Sequence, residues 1–211
     1  MKLMRTLCVK VENAKLFAEV VRILKSRNIP FRSDVTRDCT VILTDSLKYA
    51  EEFSSKYGIP IILTSKNDLL GKIELAILSL KGKITYESLV IGLDPGKTIG
   101  YALIGDDELL EVKSFNDVLT LKEHLDLIVR TYPYKRMIIR VGSGEFSSEV
   151  LENILDLVER YNHKEHVSIE IVDESSTSKS EPKIKSNIKI PKRSMAAVNI
   201  ALRKGIPVHV R

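Results

Sequence analysis

Asp94 is the residue whose position most directly invites chemistry. It closes the apolar run Leu89-Val90-Ile91-Gly92-Leu93, and a Pro95-Gly96 turn and a second apolar run from Gly100 follow it. Two short apolar runs around a Pro-Gly turn predict a β-hairpin. A carboxylate at the end of a buried strand is costly unless something pairs with it, and a divalent cation is a common partner. An isolated Asp-Pro-Gly is also an ordinary turn in which the acid caps the bend. The weight therefore rests on the longer pattern, in which Gly92, Asp94, Gly96, Gly100 and Ala102 fall in register. Gly96-Lys97-Thr98 imitates the end of a phosphate loop. That loop needs a glycine five residues before Gly96, and Ile91 stands there instead.

The elements that must position Asp94 follow from periodicity. The first 80 residues alternate strand and helix: strands over 6–11, 40–44 and 61–64, helices over 13–27, 46–57 and 67–80. Asp45 or Ser46 is placed to cap the second helix. Such alternation predicts a small three-layer α/β domain, Rossmann- or receiver-like in pattern, but without a dinucleotide glycine fingerprint. A short polar stretch over 81–88 reads as a linker, giving domains 1–83 and 84–211. The second domain reads as strands 89–94, 99–105 and 108–114, helix 117–131, strand 136–141, helix 146–161 and strand 167–173. A polar loop over 174–190, a last helix over 191–204 and a short strand over 206–210 complete it.

The hairpin at Asp94 resembles the first motif of RNase H-like nucleases, in particular the RuvC-type Holliday-junction resolvases and their YqgF-type relatives. Three hairpin-linked strands followed by alternating helix and strand is also the element order of that fold, so the resemblance spans 89–204. It implies an RNase H-like α/β domain and phosphodiester cleavage with two Mg²⁺ or Mn²⁺ ions held roughly 4 Å apart by carboxylates. Asp94 is then the first ligand. Asp173-Glu174 is the next candidate, because Val172-Asp173-Glu174-Ser175-Ser176-Thr177 resembles the Asp-Glu-Arg-x-Thr-Thr motif of the YqgF type, with Ser175 in place of the Arg. Their plainer reading is a helix cap or a pair of loop acids. Glu145 is a third candidate, although it lies several residues beyond its strand and also reads as a helix N-terminal acid. The resemblance implies that Asp94, Glu174 and Asp173 meet at adjacent strand ends.

The last helix departs from the family. Its Asp-x-x-Ala-Ala becomes Arg193-Ser194-Met195-Ala196-Ala197: the small Ala196 and Ala197 that let the helix pack close to the sheet are kept, but a cation beside Lys192 replaces the acid. Such a cation repels Mg²⁺, and it pairs either with Asp94 or Asp173 or with a phosphate. Two readings follow: a divalent-metal-dependent endonuclease with an altered site, and a non-catalytic adaptor that keeps the fold and binds nucleic acid or protein. An ATP-binding actin- or sugar-kinase-like protein shares the hairpin but needs two such domains.

Composition narrows the partners. The 211 residues carry a net charge of +5 and a sequence pI near 9.1. From Ser175 to Arg211 there are nine basic residues and one acid, a net of +8 that leaves −3 for the rest. Lys183, Lys185, Lys189, Lys192 and Arg193, with Lys97 in the hairpin turn, are the expected nucleic-acid contacts. A lysine-rich surface of a heat-stable protein gives the same composition. No run is long enough to span a bilayer and no signal peptide is evident, so a cytoplasmic protein with no membrane partner is expected. Cys8 and Cys39 are isolated in sequence and expected to be buried thiols rather than zinc ligands. The domain over 1–83 is assigned no chemistry and is a candidate surface for a protein partner.

Overall fold

The computed structural model describes residues 5–144, 146–161, 166–173 and 184–208. By contacts the chain divides into two units, Met1–Thr85 with Thr131–Pro133, and Tyr86–Arg130 with Tyr134–Arg211.

The first unit runs β1 (Leu7–Lys10), α1 (Ala14–Ser26), β2 (Phe31–Arg32), β3 (Val41–Thr44), α2 (Leu47–Tyr57), β4 (Ile61–Leu63) and α3 (Leu69–Leu80). Its strands pair in parallel in the order β2-β1-β3-β4. Alternation along β3 sends Val41 and Leu43 into one core with α1 and α3, and Ile42 into another with Phe53 of α2. The three layers are those the sequence predicts. The two-residue β2 has no period to announce it.

Cys8 and Cys39 are not free thiols but a disulfide, with Cα atoms 5.8 Å apart. The Thr40 amide donates to the Thr6 carbonyl at 2.8 Å and brings the two cysteines together, a contact that 31 residues of separation conceal. Asp45 does not cap α2. Its carboxylate accepts the Glu12 and Asn13 amides at 2.8 and 2.9 Å, tying the β1–α1 turn to the end of β3. Ser46 occupies the α2 N-cap position without a side-chain bond.

The second unit runs β5 (Leu89–Asp94), β6 (Ile99–Gly105), β7 (Glu108–Phe115), α4 (Val118–Thr131), β8 (Met137–Gly142), α5 (Ser147–Tyr161) and β9 (Val167–Val172). A 3-10 turn (Lys192–Ser194), α6 (Met195–Leu202) and β10 (Ile206–Val208) follow. Its sheet has the order β10-β9-β8-β5-β6-β7. β5, β6 and β7 form an antiparallel meander, β5, β8 and β9 are parallel, and β10 is antiparallel to β9. This mixed sheet, with its element order, is an RNase H-like α/β fold. Leu89, Ile91 and Leu93 point to one face, and Gly92 and Asp94 to the face that α6 covers.

The segment 184–190 is not the free polar loop its lysines predict. Leu109 donates its amide to the Lys185 carbonyl at 3.0 Å, and Lys185 forms a bridge with Glu108 beside β7. Ile184 and Ile190 pack against the core under α6. Hydrophobic anchors at intervals order a backbone that exposes Lys185 and Lys189. Among the described residues no helix is long and apolar enough to cross a membrane.

Candidate metal and nucleic-acid site

The site is built by how closely α6 approaches the sheet. A Cβ added at Gly92 would lie 2.1 Å from the Ala197 carbonyl oxygen and 2.6 Å from the Ala201 amide. The helix axis therefore comes nearer to β5 than any larger residue allows. Gly100 pairs with Asp94 across the hairpin, and a Cβ there would stand 3.2 Å from the Asp94 Cβ and 3.4 Å from that of Ala197. Glycines and alanines thus seat the first turn of α6 beside Asp94.

Asp94 is half-buried, and burial raises its carboxyl above the ordinary range, with no opposing charge to lower it. Among the described residues no hydrogen bond or ion pair reaches its carboxylate. Neither Arg193 nor Lys192 neutralises it, and both are exposed. Asp94 is therefore a desolvated acid whose charge the described protein leaves uncompensated, which is the electrostatic state that attracts a cation.

The other expected acids stand differently. Register pairs Leu93 with Val141 and Gly142 with Val172, so Asp94 and Asp173 lie at the same end of the sheet. β8 runs between their strands, a backbone separation of roughly 10 Å. Asp173 is exposed. Glu174, Glu145 and Lys183 lie outside the described residues.

Arg140 is the residue that motif reasoning passed over. It sits on β8 opposite both Gly92 and Glu170, on the face that carries Asp94. Its guanidinium is nine-tenths buried. It donates to Glu170 Oε2 at 2.8 Å and to the Ala201 carbonyl at 2.5 Å. Glu170 Oε2 also accepts the Gly205 amide at 3.1 Å. The pair clamps the end of α6 to β8 and β9. The signal was present in Met137-Ile138-Ile139-Arg140-Val141: a lone charge inside an apolar strand must be paired when buried.

A two-ion site needs several converging carboxylates. Among the described residues there is no group of three metal-binding side chains. On the α6 face the β8 residue that follows Val141 toward Asp94's level is Gly142, which offers no ligand, and Arg140 lies two residues back, level with Gly92. These residues alone do not fit a two-ion centre, and no catalytic step is derived through one.

A row of cations runs from the Glu108 end of β7, opposite to the Asp94 end of the sheet, toward the start of α6. Lys97 is exposed in the hairpin turn. Lys185, Lys189, Lys192 and Arg193 are exposed along the segment that leads from β7 into α6. The 3-10 turn carrying Lys192 and Arg193 lies against β6 and β7. None of these five side chains is in an ion pair among the described residues.

No family model matches the chain, and no curated protein matches it in sequence. Among solved structures, T. thermophilus RuvC in complex with a Holliday junction substrate is 14% identical, with a TM-score of 0.38, covering 58% of this chain and 100% of that one. Marinitoga piezophila Argonaute in complex with 5′ OH guide RNA is 11% identical, with a TM-score of 0.28, covering 90% of this chain and 42% of that one. Drosophila Piwi is 12% identical, with a TM-score of 0.26, covering 82% and 35%. The chain thus spans less than half the length of the last two. At these scores the likenesses carry no functional argument, and the RNase H-like α/β fold rests on the strand order and element sequence of the second unit.

Proposed function

We propose that this chain binds nucleic acid along the α6 face of its RNase H-like unit. The observation that carries the proposal is the set of exposed cations Lys185, Lys189, Lys192 and Arg193 on the ordered segment that leads into α6, with Lys97 in the turn after Asp94, none of them in an ion pair among the described residues. A solvated lysine surface has no reason to follow one ordered segment, whereas a phosphate backbone requires a row of donors. Replacing Lys185, Lys189, Lys192 and Arg193 together with alanine should flatten the log-log salt dependence of binding by roughly 3 to 4 units. A quadruple variant that keeps the wild-type slope would refute the proposal.

Divalent-metal-dependent endonuclease activity on structured or single-stranded nucleic acid is the further step. It requires Mg²⁺ or Mn²⁺ at Asp94 with an acid supplied by Glu174, Asp173 or Glu145. The competing reading is a non-catalytic adaptor, with residues 1–83 available to a protein partner. The exposed Asp173, separated from Asp94 by β8, favours it, because two ions need carboxylates that converge. Cleavage of branched and single-stranded substrates in Mn²⁺ separates the two. Robust cutting that Asp94→Asn and Glu174→Gln each abolish, while binding persists, would establish the nuclease. Binding without cutting, unchanged or tightened by Asp94→Asn, would establish the adaptor.

A further inference from the structure

The first unit ends its parallel strands in a cleft that the proposed nucleic-acid face does not use. From β1 the chain moves outward to β2, then crosses back to β3 and on to β4. Where a parallel sheet reverses its direction of growth, the loops beyond the carboxyl ends of the two neighbouring strands diverge and leave a crevice. Here a cleft of about 340 Å³ opens at that end, lined among others by Asn13, Lys15, Leu16, Glu19, Thr64 and Lys66. Its volume falls in the range of small-molecule sites, roughly 300–1,000 Å³.

The walls are fixed and the donors uncommitted. Asp45 also lines the cleft, but each of its oxygens already holds a backbone amide of the β1–α1 turn. Asn13 uses its carbonyl oxygen to accept the Lys15 and Leu16 amides at 3.1 Å, which leaves its NH₂ group as a donor. Lys15 and Lys66 are exposed, and neither is in an ion pair among the described residues. Thr64 is 4% exposed. Its hydroxyl reaches the Ser65 carbonyl only at 3.4 Å and the Asp68 carboxylate only at 3.5 Å, well beyond a full hydroxyl bond of about 2.7–2.8 Å. Leu16 gives the cleft an apolar wall, and Glu19 stands at its rim with only a 3.7 Å contact to Arg22.

We propose that this cleft binds a small phosphate monoester carried on a planar or apolar body, the chemistry of a nucleoside 5′-monophosphate. Lys15, Lys66 and the Asn13 amide receive the phosphate, Leu16 takes the flat body, and Glu19 accepts a hydroxyl or amino proton. Lys15, Lys66 and the Asn13 amide are the donors left to meet an anion, while the Asp45 carboxylate is held by two backbone amides. A single free acceptor at the rim selects a ligand larger than phosphate itself.

Calorimetric titration of the full chain in phosphate-free buffer with adenosine 5′-monophosphate, adenosine and orthophosphate tests this. The monophosphate should bind one per chain and more tightly than either fragment. Lys15→Ala with Lys66→Ala should weaken it at least about tenfold, two charge-assisted bonds being lost, with the thermal midpoint unchanged. Thr64→Val should weaken it in the same direction. Lys189→Ala with Lys192→Ala should leave it unaltered while impairing nucleic-acid binding, so the two sites fail separately. Absence of monophosphate binding, equal binding of adenosine, or loss in the Lys189/Lys192 variant instead of the Lys15/Lys66 variant would overturn the proposal.

Discussion

Asp45 and Asp94 occupy the same position in two different sheets. Each is the acid at the carboxyl end of an apolar strand, β3 in the first unit and β5 in the second. Asp45 spends both oxygens on backbone amides. Asp94 has no partner among the described residues and a carboxyl raised by burial. Residue type and strand position are alike, yet one acid is a structural tie and the other is an unmet charge. The difference lies in what crosses the strand end: a turn that offers amide donors in one case, and in the other a helix seated through glycine and alanine, which half-buries the acid and makes no hydrogen bond to it among the described residues. The two units also secure themselves differently, the first by a covalent crosslink and the second by backbone-close packing of α6.

The largest expected effect breaks that second contrast. Reducing Cys8–Cys39, or replacing both with alanine, frees a loop of 31 residues and should cost about 3 to 4 kcal/mol in chemical denaturation. Next comes Gly92→Ala, which drives a methyl into the α6 backbone and should cost about 2 to 3 kcal/mol. The same substitution should weaken nucleic-acid binding, since α6 carries the 3-10 turn with Lys192 and Arg193. An unaltered denaturation midpoint would mean that α6 does not sit on β5. Asp45→Ala should cost about 1 to 2 kcal/mol by leaving two amides without their acceptor.

Asp94→Asn is the opposite case, small and of the other sign. A carboxyl raised in the folded state opposes folding once it ionises, and the penalty disappears as pH falls through its folded value. The variant should therefore match or exceed wild-type thermal stability at neutral pH, and lose that advantage under acid conditions. A destabilised Asp94→Asn at neutral pH would show that the carboxylate is compensated. Glu111 behaves in the reverse sense. Held by His124 at 2.8 Å and by Lys113, it falls to about 2 despite its burial. Its contribution to stability is full above the ordinary glutamate range and is lost as pH drops toward about 2. Glu111→Gln should flatten that acid limb of the stability profile.

Much of the architecture was legible in the chain. The strand-turn-strand around Asp94, the two amphipathic helices α4 and α5, and the alternation of the first 80 residues follow from period alone, because local burial repeats at two or at 3.6 residues. Ala196 and Ala197 announced a helix lying close to the sheet, and Gly92 is where it lies closest. Illegible were the contacts that join distant positions. The disulfide depends on the pairing of β1 with β3 and on the hydrogen bonds between Thr6 and Thr40 that begin it. Asp45 serves the turn after β1 rather than its own helix. The ordering of 184–190 depends on Ile184 and Ile190 finding a core that lies outside their own segment.

The sequence by itself determined that an acid would end a buried strand, that small residues would let a helix approach it, and that a basic segment would lead into that helix. These follow from residue type and spacing, which act locally. Only the tertiary structure decided which groups meet. It placed β8 between Asp94 and Asp173, put the Arg140–Glu170 pair on the face of the candidate site, and left Arg193 in solvent instead of against Asp94. Strand order and register, not composition, fix which charges become neighbours across a sheet.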